Sequence, residues 1–196
     1  MRDALLARYA EPQRAYHTLQ HLRECLDLFE EAEAAARAGP SGAEPVSEHP
    51  AEVELALWFH DAIYDIPATD NEQRSADWAR AALATASAPP DAGARVHALV
   101  MATRHDAAPT GADAQLLVDI DLAILGAPAA RFAEYEMQIR REYAHVPEAA
   151  FRQRRRTILR SFLERAPLYA TAFVRDRREV AARVNLRRAV EETWAE

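Results

Sequence analysis

Lysine is missing from this chain: all 24 of its positive residues are arginine. That excludes a Schiff-base enzyme, a pyridoxal enzyme and a phosphate-binding loop with its lysine, each of which depends on an amine. Glycine is scarce too. Gly39, Gly42, Gly93, Gly111 and Gly126 include no pair at the spacing of a dinucleotide-binding turn or a nucleophile elbow, so a Rossmann reading falls away. Cys25 is alone, so there is no intramolecular disulfide and no thiolate pair to hold zinc, a pattern that fits a reducing cytoplasm. The first residues, MRDALLARYAEPQR, lack the apolar run of a signal peptide, and no stretch approaches the ~20 apolar residues of a membrane span. The expectation is a soluble cytoplasmic protein.

What is present is a mixed composition, 49% hydrophobic and 28% charged over 196 residues. Such a chain buries a core, and its length is that of a single domain over 1–196. The net charge of −7 argues against a nucleic-acid polymer as partner, since phosphates call for surplus positive charge. The one basic run, FRQRRRTILR from Phe151 to Arg160, reads as a solvated helix face. Apolar residues recur at spacings of three and four, and alternating β-branched runs are nearly absent, so the fold class is all-α. Breaks rich in Gly and Pro predict helices over 13–37, 51–64, 71–86, 92–104, 113–125, 128–144, 148–165 and 175–194, the last ending at Trp194.

Three segments carry chemistry. In YHTLQHL, His17 and His21 are four apart, which predicts both imidazoles on one face of the first helix. Thr18 stands where a zinc protease of this spacing needs Glu, so that reading fails. In ELALWFHDAIYD, His60 and Asp61 fall within an apolar stretch of Leu55, Leu57, Trp58, Phe59 and Ile63. A carboxylate buried there is costly unless it is paired or bound to a metal. In QLLVDIDLAILG, Asp119 and Asp121 point to nearly opposite sides of a helix. Asp121, with Leu117, Val118, Ile124 and Leu125 as helical neighbours, is the one facing the core. His21, His60, Asp61 and Asp121 together make two imidazoles and two carboxylates, a mixed N/O set suited to Mn, Mg, Fe, Co, Ni or Zn and unlike a soft-thiolate site.

The order His, contiguous His-Asp, distal Asp in a helical chain of this size resembles the HD superfamily of metal-dependent phosphohydrolases. The strings HTLQHLRECL, ALWFHDAIYD, DNEQRSA, MATRHD and DIDLAILG are similar to a bacterial branch of predicted HD-domain hydrolases, and the likeness runs over essentially the whole chain. It implies a single HD-domain-like helical bundle. It places the first metal His on His21, the doublet on His60 and Asp61, and the last Asp on Asp121. Members often carry a basic residue after that Asp, where this chain has Leu122, and Asp119 stays open as the alternative. His105 in MATRHD matches a further His near the site, one that orients substrate phosphate or helps hold a second metal. His17 is the only obvious spare His for a second ion, which favours one.

The resemblance implies a small-molecule phosphate substrate, a nucleotide or another phosphomonoester, attacked by metal-activated water. Asp61 is then both ligand and proton acceptor. Asp65, Asp70 and Glu72 follow the doublet closely, and Glu72 is the preferred free base; the first turn of a helix is also an ordinary place for Glu. Without lysine, phosphate donors must be Arg, His or backbone amides, and Arg14, Arg104 and Arg140 are the candidates. Tyr16, Trp58 and Tyr64 read as core packing or as a stacking surface for a base. His49, His97 and His145 have no assigned role. Two other outcomes stay open: a ligand-binding or regulatory module without turnover, and a di-iron oxygenase of the wider superfamily.

Overall fold

The computed structural model describes residues 1–39 and 46–192; Gly42 and Trp194 lie outside them. The described residues are all-helical, with no strand among them. They divide into two compact units, Met1–Asp121 and Leu122–Glu196.

The first unit holds α1 (Arg2–Tyr9), α2 (Leu19–Ala38), α3 (Pro50–Phe59), α4 (Asn71–Thr85), α5 (Pro90–Ala102) and α6 (Ala112–Asp121). Helix α3 is its axis, packed on α2, α4, α5 and α6. Its sequence, PAEVELALWF, explains that place: a helix with so little polar surface must be surrounded, and Val53, Ala56, Leu57 and Phe59 are at most 1% exposed. Pro50 opens it, where a missing N–H costs nothing. Asp113 of α6 ties down the approach, accepting from the backbone N–H groups of Glu48 and His49 at 2.6 and 3.2 Å.

Three boundaries differ by four residues or more from those the periodicity predicts, and each of these differences lies beside the polar residues. The helix expected over 13–37 begins only at Leu19, because the Thr18 side chain caps it by accepting from Gln20 N–H. His17 therefore precedes α2, and the one-face pairing with His21 does not form. The helix expected over 51–64 stops at Phe59. His60 donates from Nδ1 to the Leu57 carbonyl at 2.7 Å, and the chain turns away. His60 and Asp61 thus sit at a helix end and not mid-helix. The third segment is helical to Asp121 and then tightens into a 3-10 turn, Leu122–Gly126. Helix α1, with Leu5 and Tyr9 buried, had no counterpart in the predicted elements.

The second unit comprises that 3-10 turn, α7 (Ala129–Glu142), α8 (Glu148–Glu164) and α9 (Ala172–Glu192). Helix α9 packs on the turn and on α8. Asn185 of α9 is buried and donates to the carbonyls of Leu125 and Ala127, both at 2.9 Å, and the Tyr169 hydroxyl donates to the Leu122 carbonyl at 3.0 Å. The basic run of α8 is not all solvated face. Arg155 is buried, donates to both Glu136 carboxylate oxygens at 2.5 and 3.2 Å, and lies over the Tyr135 ring. Among the described residues no helix is long and apolar enough to cross a membrane.

Gly126 is required by close approach: a Cβ there would fall 2.6 Å from the Arg178 carbonyl oxygen and 2.7 Å from the Arg178 Cβ. Gly126→Ala is expected to lower stability by about 1–3 kcal/mol, as overpacking against backbone does. A denaturation midpoint equal to that of the unaltered protein would contradict this contact.

Candidate metal centre

Four polar side chains meet where α2 begins and where α3 and α6 end. His21 lies in the first turn of α2, His60 caps α3, Asp61 follows it, and Asp121 is the last residue of α6. The Nε2 atoms of His21 and His60 face each other at 3.1 Å. Asp61 Oδ2 is 3.5 Å from the first and 3.0 Å from the second; Asp121 Oδ1 is 3.2 and 3.6 Å from them. The imidazoles are 2% and 1% exposed and the carboxylate side chains about 15%, so the carboxylates lie on the open side.

These separations fit a bound ion. Donors held at about 2.1 Å from a metal stand about 3.0 Å apart in octahedral geometry and about 3.4 Å in tetrahedral geometry. The ring tautomers fit as well. A carbonyl only accepts, so His60 Nδ1 carries the proton given to Leu57 and leaves the Nε2 lone pair directed at the cluster. The same state of His21 lets Nδ1–H donate to the Tyr16 hydroxyl oxygen at 3.0 Å.

A neighbour absent from the predicted set is Cys25, one helical turn after His21. His21, Cys25, His60 and Asp121 can present ligand atoms all within 4.8 Å of one another, a group that could hold a metal ion. The sulfur, however, is 3.7 Å from His21 Nδ1 and 3.8 Å from Nε2. Near-equal distances put it against the ring and off the Nε2 lone pair, so it borders the N/O donors, while Asp61 faces them. The signal for it was the four-residue spacing of His21 and Cys25 on one helix.

The remaining predicted residues divide clearly. His105 has positive φ (57°), a conformation His tolerates better than most residues, and its Nε2 is 3.0 Å from Asp121 Oδ2. It holds the outer oxygen of that carboxylate. Asp119 is buried at 2% and is not in the converging group. Glu72, in the first turn of α4, makes no hydrogen bond or ion pair with the cluster among the described residues. Its neighbours do the local work: Asn71 accepts from Asp65 N–H and donates to Asp65 C=O, each at 3.0 Å, and Ser75 accepts from Ile63 N–H at 3.0 Å. Asp65 and Asp70 are exposed and lie beside Arg74. His17 stacks on Tyr64, centroids 3.8 Å apart.

None of the proposed phosphate donors is free. Arg14 is consumed by Glu11 and three backbone carbonyls, Arg104 lies beside Asp106, and Arg140 bonds Glu148 and the carbonyls of Tyr143 and Val146. A cavity of about 370 Å³ opens at the other end of α3, and two of its polar walls are paired, His49 with Asp113 and Arg95 with Glu52.

Electrostatics follow from this packing. Burial of the His60 ring opposes its protonation, but the Asp61 and Asp121 carboxylates outweigh that and push its pKa up to about 9. Burial opposes protonation of His21 as well, and its pKa is nevertheless held well above the usual imidazole value by Cys25 and Tyr16 beside the ring and by its bonds to Asp121 and Asp61. Burial alone would raise the pKa values of Asp61 and Asp121; the surrounding imidazoles hold both well below the usual carboxylate range.

Comparison with known proteins adds no relative: no family model matches the chain, and neither a curated protein nor a solved structure matches it.

A pH dependence follows. The folded pKa of His60 exceeds its unfolded value, so without metal its contribution to stability is complete below about pH 6.5 and is lost as pH rises through about 9. A divalent ion competes with those protons. The melting-temperature gap between protein with Co²⁺ and protein with chelator is expected to widen from pH 6.5 to 9, and a gap that stays constant would count against this linkage.

Proposed function

We propose that the protein is a metal-dependent phosphohydrolase that cleaves a small phosphate ester, a nucleotide or another phosphomonoester, with His21, His60, Asp61 and Asp121 holding a divalent ion. The observation that supports this most directly is the meeting of two Nε2 atoms and two carboxylate oxygens at 3.0–3.6 Å, with the carboxylates on the open side. A divalent ion there supplies Lewis-acid polarisation of a phosphoryl oxygen and lowers the pKa of a water, which is the chemistry that ester hydrolysis needs. The reaction class rests on the order of His, His-Asp and Asp in the sequence, since a cluster of ligands is compatible with many reactions.

In this reading the chain's own groups have distinct tasks. Asp61 and Asp121 lie on the open side of the cluster, and Asp61 is the carboxylate to which the water's proton would pass. Glu72 is the second candidate acceptor. His105 fixes the outer oxygen of Asp121 and so acts on the reaction through that carboxylate. The substrate's negative charge would be met within this unit by the ion, because the candidate guanidinium of Arg14 is already occupied.

The test is elemental analysis of the purified protein with a phosphatase panel in Mn²⁺, Mg²⁺, Ni²⁺ and Co²⁺. One ion per chain is expected, with hydrolysis falling about 100-fold or more in Asp61→Ala, the size of effect that loss of a positioned acid-base group produces. Glu72→Gln separates the two acceptors. Two irons per chain would favour an oxygenase, and ligand binding without turnover a regulatory module. A protein that retains no divalent ion at neutral pH would defeat the site assignment.

A further inference from the structure

Among the described residues, a buried cation beside the centre is directed at protein groups. Arg14 lies in the segment between α1 and α2, and its side chain is 0% exposed. Its Nε donates to Glu11 at 3.1 Å. One terminal nitrogen donates to the carbonyls of Asp61 at 2.6 Å and His17 at 3.2 Å, and the other donates to the carbonyl of Ala62 at 3.0 Å. The guanidinium also lies over the rings of Tyr9 and Tyr64, at 5.4 and 5.8 Å.

We propose that Arg14 is the positioning residue of the centre, a fork that locks the turn carrying Asp61 to the segment leading into His21. The carbonyls it takes come from two places in the chain. Asp61 and Ala62 follow the end of α3, and His17 immediately precedes the Thr18 cap of α2. Each of these carbonyls lies outside regular helix, where no ladder holds it. A planar guanidinium with donors on separate nitrogens can reach two consecutive carbonyls and a third across the gap; an ammonium, with its donors on one atom, cannot. Asn71 and Ser75 pin the same turn further along, at Asp65 and Ile63, so the Arg14 contacts are the ones nearest the Asp61 side chain. Positive charge also suits carbonyls just past a helix C-terminus.

This inference rests on the reading of the cluster as a metal centre and is independent of the reaction catalysed. Its test is Co²⁺ binding by the full chain, followed by calorimetry and by the visible absorption of the ion, well below the unfolding temperature of each variant. Arg14→Lys and Arg14→Ala are expected to weaken binding about 10- to 100-fold, the usual cost of losing a group that orients ligands, and to alter the absorption band. Guanidinium at tens of millimolar, far below denaturing concentration, is expected to restore affinity to Arg14→Ala. Val96→Ala, which hollows the core at α5, should lose stability while keeping both affinity and spectrum. Should the Arg14 variants not fold, Glu11→Ala removes the carboxylate that fixes the Nε side of the guanidinium, and a several-fold loss of affinity is expected. Wild-type affinity and spectrum in Arg14→Lys, no recovery with guanidinium, or unchanged affinity in Glu11→Ala would overturn the assignment of Arg14 alone. A wild-type protein that takes up no Co²⁺ would overturn the metal reading and this inference with it.

Discussion

The first unit is organised around the mutual compensation of two imidazoles and two carboxylates. Any one of them alone in that interior would carry a large desolvation penalty. Together they form a closed set in which protons on the rings or a cation between them satisfy the carboxylates. The surroundings agree with a positive charge there: α3 and α6 end at the cluster, and helix C-termini favour cations. The helix limits follow from the same need, since a side chain within a regular helix cannot be aimed as freely as one at its end. His60, Asp61 and Asp121 gain that freedom by standing at or beyond a last turn.

Much of this was legible in the residues themselves. Apolar spacing located α2 to α9, and the oddness of polar pairs inside apolar strings singled out His60, Asp61 and Asp121. Periodicity could not foresee that His17 would fall outside α2, because the Thr18 cap is a local hydrogen bond with no signature in hydrophobic pattern. It could not foresee the early end of α3 either. That end depends on a ring donating to a carbonyl three residues back and on Arg14 reaching over from the preceding segment. Asn71 and Ser75 flank Glu72 in DNEQRSA, but bonds from neutral side chains to a loop backbone leave no mark in charge or periodicity.

Arginine fills roles that lysine could not share. Arg14 bridges carbonyls, and Arg155 makes a two-point contact with Glu136 while stacking on Tyr135. Both guanidiniums are planar and buried, and both are bonded to protein groups. The sequence's exclusive use of arginine thus has structural counterparts in which geometry, and not charge alone, is used.

The thiol packed on the His21 ring has a different kind of consequence. Cys25 is the only cysteine of the chain and is 2% exposed, so a thiol-reactive reagent can meet it only when α2 lifts from its neighbours. Its rate of labelling, compared with that of the unfolded chain, is a direct measure of the free energy of opening at this spot. The protein therefore contains its own reporter of local breathing, placed against the His21 ring of the candidate centre.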